Sequence, residues 1–259
     1  MTYKDIVMQR YFITFAYDGT LYHGWQRQPN GISVQEVLEK TLSTILRRNI
    51  EVVGAGRTDA GVHAYKMVAQ FDWDDVQGKG ESPAMLDTPQ LVYRMNRMLP
   101  KDVSVSRIEP VDEKMHARFS AKWRTYHYYV HTRKDPFLRH YSLETHYDLD
   151  FELMNRAGEM MKSHKDFAAF CKAGADNKTT LCDLKECRWE KTGDAQYMLV
   201  ITANRFLRNM VRAVVGTMFL IGRHKMTLEE FEKVLCEGTR SDAGESMPGN
   251  ALFLWDIIY

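Results

Sequence analysis

Residues 33–48 read SVQEVLEKTLSTILRR, and their periodicity sets the frame for everything around them. Val34, Val37, Leu38, Thr41, Leu42, Ile45 and Leu46 recur at steps of three and four, which makes one apolar stripe on an α-helix, with Ser33 and Glu36 as a capping box. Before it, residues 11–17 alternate aromatic and β-branched side chains and stop at Asp18-Gly19, a strand closed by a turn. After it, 51–54 and 66–73 read as strands. Thr88 then caps a helix with Pro89 in its first turn, ending before Pro100, and 102–108 is a strand. Residues 74–87, rich in Gly, Pro and charge, read as a surface loop, and 109–113 as a linker.

Beyond the linker the same order returns. Residues 119–131 read as a long strand, 150–162 as an amphipathic helix, 185–190 and 197–203 as strands, and 206–221 as a helix. A helix over 227–236 with a Thr227/Glu230 capping box and a strand over 251–258 complete the chain. Each half is β-α-β-β-α-β, the second with one helix more. The expected fold is therefore α+β, two ferredoxin-like βαββαβ halves side by side with a central cleft, divided as 1–112 and 113–259.

The 259 residues are 44% hydrophobic and 27% charged, which excludes wholesale disorder and fibrous architecture. With 35 Lys+Arg against 34 Asp+Glu, any basic surface must be local, so Arg and Lys are expected around the cleft and acidic residues on the outer faces. Cys171, Cys182, Cys187 and Cys236 have no CxxC spacing, and no pair among His63, His116 and His164 has a metal-ligand spacing. Neither a metal nor a redox centre is expected. Residues 1–7 read as a loose leader without an apolar core, and the apolar run 210–222 is short and contains Arg212, so the chain reads as cytoplasmic.

The densest unusual stretch is Gly54-Ala55-Gly56-Arg57-Thr58-Asp59-Ala60-Gly61-Val62-His63-Ala64. A dinucleotide fingerprint would need glycine at Asp59 and a helix after the loop, where a strand follows instead. What remains is a tight loop holding a carboxylate between an Arg and a Gly, and the loop chemistry leaves Asp59 open between a turn residue and a catalytic group. Arg205, Arg208 and Arg212 fall in one sector of the helix expected over 206–221, a sector that continues into Val215 and Phe219. A semi-buried Arg212 needs a carboxylate partner, in a structural or a functional ion pair. Residues 118–129 interleave Arg, Lys, Trp, Tyr and His. That pattern suits base stacking with phosphate contact as well as core packing. No Gly-x-Ser-x-Gly and no sign of a Ser or Cys nucleophile occurs, so if the chain is an enzyme the carboxylate is the catalytic candidate.

Four blocks, in order, resemble the tRNA pseudouridine synthase A family. They are Tyr17-Asp18-Gly19-Thr20 with Tyr22-His23-Gly24-Trp25-Gln26; the stretch Gly56 through Ala64; Ala117-Arg118-Phe119-Ser120-Ala121 leading to Tyr126; and Asn204 with Phe206-Leu207-Arg208-Asn209-Met210-Val211-Arg212. The resemblance implies the pseudouridine synthase fold and a homodimer that isomerises uridine to pseudouridine at positions 38–40 of the tRNA anticodon stem-loop, without cofactor or metal. It implies that Asp59 attacks the target nucleotide, that Tyr126 stacks on the uracil and that Arg212 pairs with Asp59. Arg57 would help displace the base, and Arg208 and Leu252 would contact the substrate. Where the family shows Pro-Ala-x-Gly-Leu, this chain has Pro248-Gly249-Asn250-Ala251-Leu252, with Ala and Gly exchanged. Two other readings use the same residues: a glycosylase that excises uracil, and a tRNA-binding module without catalysis.

Overall fold

In the computed structural model, residues 8–74, 85–172, 174 and 178–259 are described. The leader over 1–7 and most of the loop over 74–87 lie outside these residues. The chain is α+β and divides into two compact units, 1–122 with Tyr259 and 123–258.

The first unit is built on β1 (Gln9–Tyr17), whose Tyr11, Ile13, Phe15 and Tyr17 are buried. The helix foreseen next is α1 (Val34–Leu46), with Ser33 Oγ accepting from the Glu36 amide at 3.2 Å. It buries Val34, Leu38, Leu42 and Ile45, each contributing about 1.5–3 kcal/mol of apolar transfer. β2 (Val53–Gly54) and β3 (His63–Trp73) follow, then α2 (Thr88–Met98) and β4 (Val103–Val111). The cap of α2 is Asp87 rather than Thr88, because the Asp87 carboxylate reaches the Gln90 amide at 3.0 Å. Asn96 of α2 bonds both the amide and the carbonyl of Val105, fastening the helix to β4. All pairings are antiparallel and run β4-β1-β3-β2.

Residues 109–111, read from sequence as linker, continue β4. Pro110 is accommodated because β4 is an edge strand that needs no donor at that position. The division between units accordingly falls at 122/123 instead of 112/113. Arg10, held by Asp72 at 2.7 Å, donates to the carbonyls of Glu113 and Met115, and the Ala117 amide donates to Gln70 Oε1 at 2.6 Å. These bonds keep residues 113–122 with the first sheet.

The second unit repeats the plan. β5 (Trp123–His131) carries the short parallel β6 (Leu143–Glu144), and α3 (Phe151–Ser163), β7 (Leu184–Gly193) and β8 (Gln196–Ala203) follow. α4 (Met210–Gly222), the additional α5 (Leu228–Glu237) and β9 (Leu252–Ile258) end it. Strand order is β9-β5-β8-β7, so the first strand again lies between the last and the third. The Thr227/Glu230 capping box is present at α5.

Two further boundaries bear on the candidate residues. β5 starts at Trp123, not at 119, and α4 starts at Met210, not at 206. Asn209 takes a left-handed conformation with φ 66°, and the Arg208 carbonyl accepts from the Lys172 amide instead of from a helical partner. Arg205 and Arg208 therefore precede the helix, and only Arg212 projects from it.

Candidate active site

The loop carrying Asp59 is clamped from both ends by the segment after β1. Tyr17 OH and Thr58 Oγ1 are 2.8 Å apart, the Trp25 amide donates to the Thr58 carbonyl at 3.3 Å, and the Gly61 amide donates to the Tyr22 carbonyl at 3.3 Å. Tyr22 OH in turn donates to Asp102 at 2.7 Å. Burial and this bond both raise the Tyr22 pKa, so the phenol remains a donor. Gly19 lies against the loop so closely that a Cβ there would stand 2.0 Å from the Val62 carbonyl oxygen. Within the loop, the Val62 amide donates to the Asp59 carbonyl at 3.2 Å and closes a turn around Asp59.

His63 ends the loop and is 1% exposed, with Nδ1 3.0 Å from the Gly19 amide and 3.1 Å from an Asp18 carboxylate oxygen. These distances describe a structural histidine that ties the loop to the segment after β1. Asp59 itself is half-buried, and Arg57 is exposed. The sequence GRTDAGVH thus folds into a loop that carries one half-buried carboxylate and one exposed guanidinium and is bonded to the preceding segment through Thr58, Gly61 and His63.

The second unit carries the remaining candidates. Tyr126, half-buried on β5, meets the edge of Phe206 at a centroid distance of 5.0 Å with the rings 86° apart. Sequence reasoning placed Phe206 inside a helix and missed this contact. Arg212, half-buried in the first turn of α4, donates through Nε to the Met247 carbonyl at 2.5 Å, and the Met247 amide returns a bond to the Arg212 carbonyl. Next to that segment, Tyr128 OH donates to the Pro248 carbonyl at 3.0 Å, and Leu252 is buried on β9 opposite Tyr128. Burial raises the Tyr128 pKa, and the nearby Arg212 charge works in the opposite direction. The structure thus groups Arg212 with the segment leading to Leu252, whereas Arg208 is exposed ahead of the helix.

Burial pushes the Cys182 thiol up to about 11 and raises Cys187 further, which leaves both protonated and inert. Among the described residues, no group of three or more His, Cys, Asp or Glu side chains is placed to hold a metal ion. Nor is any described helix long and apolar enough to cross a membrane.

A family model described as tRNA pseudouridine synthase matches residues 13–120 and 163–259. The chain belongs to the tRNA pseudouridine synthase family. Its members are isomerases, and the match includes Arg57, Asp59, Arg208, Arg212 and Leu252, with Tyr126 between the two matched stretches. Proteins named tRNA pseudouridine synthase A are similar along almost the whole chain. That of Bacteroides thetaiotaomicron is 52% identical over 97% of this chain and 91% of its own length. That of Bacteroides fragilis is 48% identical over 97% of both chains, and that of Porphyromonas gingivalis is 47% identical over 97% of this chain and 98% of its own.

Proposed function

We propose that this tRNA pseudouridine synthase isomerises uridine to pseudouridine at positions 38–40 of the tRNA anticodon stem-loop, with Asp59 as the reacting carboxylate. The observation that carries the assignment is the loop around Asp59, hydrogen-bonded on both sides so that the backbone bearing this half-buried residue is held in place. A carboxylate on a backbone held in this way loses little entropy on reaching the transition state.

The reaction breaks the bond between ribose C1′ and uracil N1 and forms one between C1′ and C5. The C5 hydrogen leaves as a proton and N1 gains one, so the change needs neither oxidant nor reductant. Asp59 forms an adduct with the target nucleotide or stabilises cationic character at the sugar while the base is detached. The uracil must then turn without escaping. The face of Tyr126, braced by Phe206, holds a flat ring without fixing its rotation, and buried Leu252 adds an apolar wall. The family resemblance gives Arg212 the role of ion-pair partner to Asp59, and in the structure the Arg212 Nε is committed to the Met247 carbonyl. Displacing a base from its stack costs a few kcal/mol, and Arg57 and Arg208, both exposed, offset part of that through the backbone phosphates. The family resemblance further supports a homodimer.

The test uses a tRNA transcript tritiated at C5 of uridine, incubated with the wild type and with Asp59→Ala. Tritium release without free uracil, abolished by the substitution while tRNA binding persists, is the expected result. Free uracil would make the protein a glycosylase, and binding with neither product would leave an RNA-binding module.

A further inference from the structure

The interleaved basic and aromatic stretch over 118–129 divides in the structure. Its tyrosines lie on β5, but Arg118 and Phe119 lie ahead of the strand on a turn in the first unit, and Phe119 is 76% exposed. An exposed phenyl on a slack loop would be unremarked, since single apolar side chains are common on surfaces. This turn is not slack. The His116 amide donates to Ser120 Oγ and the Ser120 amide to the His116 carbonyl, both at 2.9 Å, and the Arg118 amide donates to His116 Nδ1 at 3.0 Å. Ala117, fully buried, anchors the turn through its amide to Gln70 and through its carbonyl to the Tyr259 hydroxyl at 2.7 Å. Burial, then Arg10 and Arg118, lower the His116 pKa, so its ring stays neutral and Nδ1 remains an acceptor.

The turn therefore presents a flat apolar surface in one orientation. The Phe119 ring lies 4.4 Å from the His116 ring, and the Arg118 guanidinium carbon lies 5.7 Å from the Phe119 centroid. The imidazole packs against the phenyl at a tilt of 41°, the guanidinium lies over the ring, and most of the phenyl surface remains exposed.

We propose that Phe119 and Arg118 form an RNA-binding subsite, in which Phe119 stacks on one unpaired or displaced base of the tRNA and Arg118 contacts an adjacent phosphate. Every base offers a π-face and every nucleotide a phosphate, so an aromatic ring fixed next to a guanidinium fits that ligand class without reading sequence. The proposal rests on tRNA being the substrate. It adds a contact point outside the residues assigned to the reacting nucleotide.

The experiment measures the Kd for a full-length tRNA transcript and the kinetics of tritium release for the wild type, Phe119→Ala, Phe119→Trp and Arg118→Gln. Phe119→Ala is expected to raise Kd and KM about five- to hundredfold, the range of one lost base stack, with the effect on KM exceeding that on kcat. Phe119→Trp restores both. Arg118→Gln lowers the dependence of log Kd on log salt by about one phosphate contact. Unchanged Kd in Phe119→Ala would overturn the proposal. So would a change in oligomeric state by light scattering that accounts for the loss, which would make the turn a protein interface. If the wild type binds tRNA but releases no tritium, the reaction assignment fails while the Kd series still decides the subsite.

Discussion

At the scale of single residues, the account depends on Asp59 being held by contacts that leave no room for change. Gly19 shows this most sharply, because a Cβ there would overlap the Val62 carbonyl, a backbone atom that moves only if the Asp59 loop moves. Gly19→Ala is expected to lower the melting free energy by about 1–3 kcal/mol, as overpacking does. Since a misplacement of about 1 Å can cost a hundredfold in rate, kcat should fall by about that factor, far more than the lost stability explains. Thermal melting and tritium release together check this; a variant that melts lower but turns over normally would detach the loop from the chemistry. At this scale the loop's residue types exclude a dinucleotide site but leave Asp59 open between a turn residue and a catalytic group, and only the family resemblance names it. That His63 faces Gly19 and Asp18 was not legible in the sequence, because those contacts join residues more than forty positions apart.

At the scale of elements, legibility followed how local each signal is. The α1 and α5 starts are dictated by side chains three residues from the atoms they cap; the Thr227/Glu230 box appears as read, whereas at α1 only the Ser33 half of the expected box is present. The start of α4 depends instead on a left-handed Asn209 and on a bond between the Arg208 carbonyl and Lys172, which no local pattern shows. That shift of four residues removes Arg208 from the helix and leaves Arg212 as the arginine of its first turn. α4 positions Arg212 partly through the segment it touches. A Cβ on Gly216 would stand 1.9 Å from the Glu245 carbonyl oxygen, two residues before Met247, which accepts from Arg212. Gly216→Ala is thus expected to displace that segment, destabilise the protein by about 1–3 kcal/mol and reduce kcat. Normal turnover in a folded Gly216→Ala protein would show that the Arg212–Met247 contact is dispensable.

At the scale of the whole molecule, two βαββαβ units with the same strand order were foreseen from element order alone, because connections between neighbouring strands admit few topologies. The division between them was placed too early, since Arg10 and Gln70 recruit residues 113–122 by bonds that span over forty positions. Among the acid-sensitive contributions to stability, that of His127 is the most sharply defined. His127, stacked on Trp255 at 4.3 Å, has its pKa lowered to about 4 by burial, against 6.5 when exposed. Between these values the unfolded chain binds a proton that the folded chain does not, so stability is lost as pH falls from about 6.5 to 4. The loss amounts to at most about 3 kcal/mol. Urea titrations across this range should show the loss for the wild type and a flatter profile for His127→Gln; equal slopes would mean that the histidine stays solvated.

The central claim is that Asp59 makes pseudouridine in the anticodon stem of tRNA. Its most direct measurement maps pseudouridine in two transcripts, one with uridine at positions 38–40 and one with cytidine there, after incubation with the wild type and with Asp59→Ala. The account predicts pseudouridine only in the first transcript and only with the wild type, with both proteins binding tRNA. Pseudouridine formed by Asp59→Ala would contradict it.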